Sequence, residues 1–219
     1  MNTRVALKNC ETLMLDMDGT LLDLAFDNYM WLTHIPAAYA KARSLPDDQA
    51  RKELYAQFHS MRGQLEWYCL DHWSDRLKLD IVGLHHAERA RIGWLPGARE
   101  FLENVRGEGM RVLLVTNSHR DTLDLKSEAT GIARYFDEVY TAHDFGFPKE
   151  RREFWETLAQ KERFNPRSTM FVDDTEPVLA SAQGYGVQHV VKISKPDTTR
   201  ELRPSEAFPH VEGVRNLLD

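Results

Sequence analysis

The sequence has few cysteines, no long apolar run and no signal-like N-terminus. Its two cysteines, Cys10 and Cys69, lie far apart and form no paired motif. We therefore predict two reduced, mostly buried thiols and no disulfide framework. No apolar stretch is long enough to cross a bilayer, and the residues before Asn9 lack the apolar core of a signal peptide. A cytoplasmic protein without membrane contact is expected.

An excess of positive charge is also missing. The 28 lysines and arginines are outnumbered by 34 aspartates and glutamates, which gives a formal net charge of −6. Nucleic acid needs a basic footprint, so no nucleic-acid partner is expected. A small anionic substrate stays possible, because a metal ion and one lysine can meet its charge locally. The 219 residues suffice for one core and a small extra domain, while the oligomeric state stays open.

Short apolar runs alternate with helix-like segments over most of the chain. The runs that predict buried strands are Thr12–Leu15, Arg111–Thr116, Glu138–Thr141, Thr169–Asp173 and Val187–Ile193. Helix-like segments cover about residues 97–106, 120–130, 150–163 and 176–183. This alternation predicts an α/β fold with a parallel sheet and helices on both faces.

The stretch between the first two strands has a different pattern. It has no convincing strand, and Pro46-Asp47-Asp48 is typical of a helix start. Its apolar residues recur at helical spacing: Leu54, Phe58, Met61, Leu65, Tyr68, Trp73 and Leu77. We predict a helical domain over residues 22–93, inserted into a sheet domain that is formed by residues 1–21 and 94–219.

Three polar residues end predicted strands. They are Asp16, Thr116 and Asp173. A single strand-end carboxylate is usually a helix cap. In a parallel sheet, however, ligands bind at the carboxyl ends of the strands. Several polar residues at equivalent strand ends therefore predict one shared crevice.

The segment Asp16-Met17-Asp18-Gly19-Thr20 carries the clearest chemistry. Two carboxylates flank one residue directly after a buried strand, and Gly19 permits a tight backbone path. One interpretation is a polar strand exit with capping aspartates. The other is a nucleophile, Asp16, with a general acid and base, Asp18, because an ionised carboxylate can attack phosphorus and a second can move the proton.

A second acidic pair, Asp173-Asp174, follows another predicted strand. Adjacent acids repel each other unless a cation lies nearby, and Mg²⁺ prefers hard oxygen ligands. Asp16, Asp173 and the backbone carbonyl of Asp18 are the candidate Mg²⁺ ligands, and Asp174 would support them by orienting a water or a neighbour. The alternative is that Asp173 or Asp174 caps the helix after Pro177.

Two further candidates concern the phosphate. Thr116 and Asn117, followed by Ser118, could hold phosphate oxygens, although the same residues are ordinary in turns. We place Lys149 at the start of a helix, where it opposes the helix dipole, so pairing with phosphate and nucleophile would explain it. The alternative is a solvated lysine near Glu150. Lys195 is a rival for this role.

These four motifs, in this order, resemble the haloacid dehalogenase superfamily. The resemblance implies a Rossmann-like core with a helical cap and selects Lys149 over Lys195. It also implies that Asp16 is the nucleophile, Asp18 the acid and base, Thr116 a phosphate binder, Lys149 a charge stabiliser and Asp173 a Mg²⁺ ligand. The family's lysine often precedes a proline, whereas here Pro148 precedes it. Asp18 argues for a phosphatase, because a halide leaves without a proton.

A closer resemblance is to the bacterial GMP/IMP nucleotidases of this superfamily. It is carried by Asp18–Tyr29, Trp67–Asp71 and Phe145–Glu150. It implies that the substrate is a purine nucleoside 5′-monophosphate. A sugar-phosphate phosphatase or phosphomutase is the alternative within the same chemistry. A non-catalytic regulatory binding protein on the same fold is the alternative of another class, although the intact acidic set argues against it.

The helical segment also carries residues that could contact a base. They are Tyr29, Trp31, Arg62, Trp67, Tyr68, His72 and Trp73. Aromatic faces stack on bases, but most of these rings are expected to pack the segment's own core. The pair His85-His86 resembles a metal site. Adjacent residues point in different directions on a helix, so a solvated pair is expected instead.

Overall fold

The computed structural model describes residues 3–107 and 109–218. Its centre is a sheet of six parallel strands in the order β3-β2-β1-β4-β5-β6. The strands are β1 Thr12–Leu15, β2 Arg111–Thr116, β3 Glu138–Thr141, β4 Thr169–Asp173, β5 His189–Ile193 and β6 His210–Val211. The predicted parallel α/β fold is confirmed.

The central strands are apolar on both sides because helices cover both faces of the sheet. Every residue of β1 and β4 is buried. Leu13 and Leu15 join one hydrophobic core, whereas Met14, between them, joins a second. Successive side chains of a strand point to opposite faces, so two cores on one strand require two covering layers.

Four helices form most of these layers. They are α7 Ala98–Val105, α8 Arg120–Thr130, α9 Arg152–Lys161 and α10 Glu176–Tyr185. Apolar residues of α7 and α8, such as Phe101 and Leu123, belong to the first core. Those of α9 and α10, such as Trp155 and Leu179, belong to the second. The four predicted helices are therefore present, and each end lies within two residues of the predicted one.

The chain between β1 and α7 is helical. Its α-helices are α2 Ala25–Tyr29, α3 Ile35–Arg43, α4 Asp47–Met61, α5 Leu70–Leu77 and α6 Ile81–Ala87. A π-helical turn, Met30–His34, joins α2 to α3, and short 3-10 turns lie at Leu65–Tyr68 and Arg89–Arg91. Residues 25–91, here called the helical segment, are all described and contain no strand.

The helical segment has a hydrophobic core of its own. The core includes Phe26, Leu54, Phe58 and Trp73. At the base of the segment, the Asp23 N–H donates to the Gly93 carbonyl at 2.9 Å, so the two connections to the sheet run side by side.

The structure also contains elements that the sequence patterns did not predict. These are α1, Thr3–Lys8, and the two-residue strand β6. The predicted strand Val187–Ile193 begins at His189, two residues later. Within residues 3–107 and 109–218, no helix has the length and apolar character needed to span a membrane.

The strand order determines where a site can form. Strands β2 and β3 extend the sheet from one edge of β1. Strands β4, β5 and β6 then extend it from the opposite edge of β1. The carboxyl ends of β1, β2 and β4 are therefore neighbours at the point where the strand order reverses. Ligands of open α/β sheets bind at this point.

Candidate active site

Asp16, Asp173 and Lys149 meet at the carboxyl edge of the sheet. Asp16 directly follows β1 and Asp173 is the last residue of β4. The Lys149 Nζ donates to Asp16 Oδ1 at 2.6 Å and to Asp173 Oδ2 at 2.7 Å. All three residues are buried, with at most 6% of any one exposed. The ammonium group thus lies between two carboxylates that the sequence separates widely.

Lys149 does not lie in the first turn of a helix, as the sequence suggested. It lies in the loop before α9, which begins only at Arg152. The helix-dipole argument for Lys149 is therefore wrong. The loop is held by the Lys149 N–H, which donates to Asn117 Oδ1 at 2.8 Å, while Nζ also donates to the Val115 carbonyl at 2.9 Å. Backbone and side chain together direct the ammonium group to the strand ends.

The rival, Lys195, has a different environment. Its Nζ donates to the Arg200 carbonyl in an exposed loop after β5. The structure therefore places Lys149, and not Lys195, beside Asp16 and Asp173.

Asp16, Asp173 and Asp174 form a cluster that could hold a metal ion. One carboxylate oxygen from each lies within 4.8 Å of the others. Oxygen donors of this kind suit Mg²⁺ or another hard cation. Gly19 adopts a positive φ of 85°, and a Cβ there would lie 2.9 Å from the Asp174 Cγ. The glycine thus lets the loop after Asp16 pass close to this cluster.

Burial perturbs the acidity of the cluster. It raises the pKa of Asp16 to about 7 and that of Asp173 to about 6, although Lys149 opposes both shifts. Burial, with the charge of Asp16, also raises the pKa of Asp174 to about 7. Two buried carboxyls, a third that is partly buried and one lysine leave excess negative charge, which a divalent cation would offset. The residues present therefore fit a metal ion.

Neither Asp173 nor Asp174 is the N-cap of α10. That position belongs to Thr175, whose N–H donates to Asp173 Oδ1 at 2.8 Å. The alternative of a capping acid is therefore wrong for both, although Asp173 does order the turn before the helix.

The Asp18 side chain is not a member of this carboxylate cluster. Its Oδ1 accepts from the Lys126 Nζ at 2.6 Å, and its Oδ2 accepts from the Ser118 hydroxyl at 2.5 Å. Both carboxylate oxygens of Asp18 therefore accept hydrogen bonds from residues that follow β2. The metal contact predicted for Asp18 does not involve these oxygens, because it is through the backbone carbonyl.

Lys126 is a further residue of the site, which no motif in the sequence indicated. It lies on α8, is 1% exposed, and also donates to both Asp27 oxygens at 2.7 and 2.8 Å. Burial lowers its pKa, but the charges of Asp18 and Asp27 outweigh burial and raise it. A lysine on the buried face of a helix, three residues after Leu123, was the available signal.

Thr116 and Asn117 lie at the end of β2 and are buried. The Thr116 Oγ1 accepts from the Ser118 N–H at 3.0 Å. The Asn117 amide donates to Glu150 Oε2 at 3.0 Å, and its oxygen accepts from the Lys149 N–H. Thr116 therefore shapes the turn, while Asn117 connects the strand end to the lysine loop.

Tyr68 links the helical segment to this edge of the sheet. Its hydroxyl donates to Glu150 Oε1 at 2.7 Å, opposite the oxygen that Asn117 contacts. Burial, reinforced by Glu150, raises the pKa of Tyr68 well above its ordinary value. Glu150 was not a candidate in the sequence; its position next to Lys149 was the only signal.

The other candidate side chains of the helical segment have different surroundings. Trp31, Trp67 and Trp73 pack edge-to-face or stack with one another and with Phe58, as expected for a core. Tyr29 lies under the Arg91 guanidinium and His72 contacts the Trp73 ring. Arg62 is exposed.

The pair His85-His86 is not solvated as a pair. His86 is exposed, but His85 is 1% exposed and its Nδ1 lies 2.8 Å from the Ile81 carbonyl. The prediction is wrong for His85, because its ring faces the core of the helical segment, near Phe26 and Trp31. Adjacent positions on a helix point apart, so the pair does not converge on one ion.

Both cysteines are free thiols, as predicted. Cys10 is buried and Cys69 is partly buried.

Known proteins are similar to this chain over most of its length. The family model for haloacid dehalogenase-like hydrolase matches residues 10–186. The chain is 33% identical to the GMP/IMP nucleotidase YrfG of Escherichia coli strain K12, over 100% of this chain and 98% of that protein.

Solved structures share the fold. The HAD phosphatase from Thermococcus onnurineus superposes with a TM-score of 0.79 at 20% identity, over 94% of this chain and 95% of that one. The HAD-hydrolase YfnB from Bacillus subtilis, bound to magnesium, gives a TM-score of 0.70 at 16% identity, over 95% and 97%. From its strand-end motifs and these matches together, the chain belongs to the haloacid dehalogenase-like hydrolase family.

Proposed function

We propose that this protein is a Mg²⁺-dependent phosphatase that acts through a covalent aspartyl-phosphate on Asp16. The observation that carries the proposal is the position of Lys149, whose ammonium group contacts both Asp16 and Asp173 at the strand ends. A buried cation between two carboxylates suits a site that binds a phosphate dianion beside a metal. Lys149 would keep its charge near pH 7, because the two carboxylates outweigh the effect of burial and raise its pKa.

The reaction has two steps. An Asp16 oxygen attacks phosphorus, the bond from phosphorus to the ester oxygen breaks, and that oxygen leaves with a proton from Asp18. Water then attacks the phosphorus of the aspartyl-phosphate and gives its proton to Asp18, which regenerates the Asp16 carboxylate and releases inorganic phosphate. Lys149, Thr116 and Asn117 would hold the phosphoryl oxygens in both steps.

Asp16, Asp173 and the Asp18 carbonyl would hold Mg²⁺, with Asp174 in support. The carboxylate cluster and its raised pKa values support this assignment. Bound Mg²⁺ supplies positive charge that offsets the phosphoryl oxygens during transfer.

We further propose a purine nucleoside 5′-monophosphate as the substrate. The support is the 33% identity to a GMP/IMP nucleotidase over the full length of this chain. Residues 22–93 would act as a cap on a core of residues 1–21 and 94–219. The separate core of the helical segment and its paired connections at Asp23 and Gly93 support that division. The cytoplasmic location stays a prediction.

Phosphate release from a panel of substrates tests the proposal. With Mg²⁺ present, GMP and IMP should be hydrolysed with the highest kcat/KM, pyrimidine nucleotides more slowly and sugar phosphates least. Equal or better release from sugar phosphates would favour the alternative, a sugar-phosphate phosphatase. Interconversion of sugar phosphates without net phosphate release would identify a phosphomutase, and no turnover of any phosphomonoester would favour the non-catalytic alternative.

A further inference from the structure

Cys69, His119 and His143 converge beside the candidate active site. Cys69 belongs to the helical segment, His119 lies just before α8 and His143 lies in the 3-10 turn after β3. One ligand atom from each, the Cys69 thiol sulfur and one ring nitrogen of each histidine, lies within 4.8 Å of the others. Three separate parts of the chain thus direct sulfur and nitrogen donors to one place.

The two histidine rings pack together, and each has a ring nitrogen without a hydrogen-bond partner in the described structure. Their rings meet nearly at right angles, with centroids 4.9 Å apart. Within the described part of the chain, the buried His119 Nδ1 and His143 Nε2 have no hydrogen-bond partner. The nearest acids are Asp121, 3.6 Å from His119 Nδ1, and Asp71, 3.8 Å from His119 Nε2. Buried ring nitrogens without partners are costly unless something binds them.

We propose that Cys69, His119 and His143 form a second metal site, for Zn²⁺ or another thiophilic divalent cation, which fastens the helical segment to the sheet. The donor set excludes a Mg²⁺ preference, because thiolate and imidazole select zinc and related metals, whereas Mg²⁺ takes oxygen ligands. Water or Asp71 would complete a tetrahedron. The donor-to-donor edges of a zinc tetrahedron are about 3.5 Å, so donors that lie within 4.8 Å of one another need to approach by at most about 1 Å.

Burial favours the form of His143 that binds metal. It lowers the pKa of His143 to about 4, with a smaller contribution from His119, so the ring is neutral near pH 7. Among the described residues, the Cys69 sulfur accepts one hydrogen bond, from the His72 N–H at 3.4 Å, and it forms no disulfide, so it can act as a ligand.

The position of the proposed zinc site predicts that bound metal affects turnover. Cys69 follows Tyr68, which contacts Glu150, and His119 follows Ser118, which contacts Asp18. Metal bound here would join the helical segment to the loop that holds the candidate acid and base. Because a cap must open to release product, zinc should slow turnover by the proposed phosphatase. The binding of metal itself does not depend on that proposed function.

Cobalt spectroscopy tests the site without reference to activity. The full-length protein, freed of metal, is titrated with Co²⁺ in the presence of Mg²⁺. We expect one tetrahedral Co²⁺ with a thiolate-to-cobalt charge-transfer band, which Zn²⁺ displaces stoichiometrically. Cys69→Ser should abolish the band, and His143→Gln should weaken binding at least about tenfold.

Two matched variants control the experiment. Cys10→Ala keeps Cys69 and should retain the band, and His86→Gln removes an exposed histidine outside the cluster and should retain the affinity. Thermal melts in chelator identify variants that fail to fold. A wild-type protein without the charge-transfer band, or one whose zinc affinity is unchanged by Cys69→Ser, would overturn the site.

Enzyme assays with Mg²⁺ and added Zn²⁺ test whether metal at this site holds the helical segment against the sheet. Zinc should inhibit the wild type at concentrations at least about tenfold lower than those that inhibit Cys69→Ser. Equal inhibition of both proteins would overturn the fastening role. Failure of all phosphatase activity would instead refute the proposed function and would leave the cobalt result standing.

Discussion

The Lys126 ammonium group lies 2.6 Å from Asp18, the residue that we propose to move the proton in catalysis. The same nitrogen lies 2.7 Å from Asp27, on the first helix of the helical segment. Lys126 is therefore shared between the candidate active site and the proposed cap. In the proposed reaction an Asp18 oxygen would face the leaving oxygen of the substrate, while Asp27 keeps its contact with Lys126.

Lys126→Met should lower stability and turnover together. The substitution leaves Asp18 and Asp27 without their cation, and loss of one partner from a buried ion pair costs about 3 kcal/mol. Urea unfolding measures the loss. Lys41→Met, at an exposed position, is the control and should be neutral. The double variant Lys126→Met with Asp27→Asn should recover part of the stability but not the turnover; full recovery of turnover would contradict a positioning role for Lys126.

Asp16→Asn should abolish turnover and leave the protein folded. The amide keeps the shape of the side chain but is a poor nucleophile, so no aspartyl-phosphate forms. Phosphate release and acid-quench trapping of labelled enzyme measure the two effects, and circular dichroism checks the fold. Substantial activity in this variant would rule out covalent catalysis by Asp16.

Lys149→Met should reduce kcat by about 100-fold or more, because a preorganised charge next to the reacting group is lost. Lys195→Met is the matched control, since the Lys195 ammonium group donates to the Arg200 carbonyl of a loop and not to Asp16 or Asp173. It should retain nearly full activity. A larger loss in Lys195→Met than in Lys149→Met would reverse the assignment of the lysine.

The carboxylate cluster predicts a pH-dependent response to Mg²⁺. The pKa values of Asp16, Asp173 and Asp174 rise from 3.8 to about 7, 6 and 7. Between about pH 4 and about pH 7, the metal-free folded protein therefore binds more protons than the unfolded chain. The contribution of these three carboxyls to the free energy of unfolding is fully present below about pH 4 and is lost as the pH rises through about 6 to 7.

Mg²⁺ bound to the ionised carboxylates, as we propose, would reverse that loss. We expect Mg²⁺ to raise the Tm more at about pH 8 than at about pH 5.5, and chelation to stop turnover at both. Asp173→Asn should remove most of the Mg²⁺ response. A Tm increase that is independent of pH, or activity that survives full removal of divalent metal, would contradict the metal assignment.

Tyr68→Phe should weaken the contact between helical segment and sheet. The variant loses the hydrogen bond to Glu150, which is worth about 1 kcal/mol. We expect the proposed cap to close less completely over the substrate, and a loss of about 1 kcal/mol in the transition state corresponds to about a fivefold decrease in kcat/KM. Tyr55→Phe removes a hydroxyl on the outside of the helical segment and is the control. Equal effects of the two substitutions on kcat/KM would show that the Tyr68 contact is unimportant for the reaction.

The sequence by itself determined the sheet and the residues at its edge. Apolar runs such as Thr12–Leu15 and Thr169–Asp173 are buried on both faces, and this burial is what makes parallel strands recognisable. Because parallel strands end at one edge, Asp16, Thr116 and Asp173 were expected to converge. The two-residue β6 is too short to show any period.

Only the tertiary structure decided which side chains meet. Lys126 and Asp18 are 108 residues apart, and Lys149 and Asp16 are 133 apart. Local periodicity carries no information on such pairs, because the packing of α8 and of the lysine loop against the strand ends brings them together. The cluster of Cys69, His119 and His143 arises in the same way, from three segments that become neighbours only when the helical segment rests on the sheet.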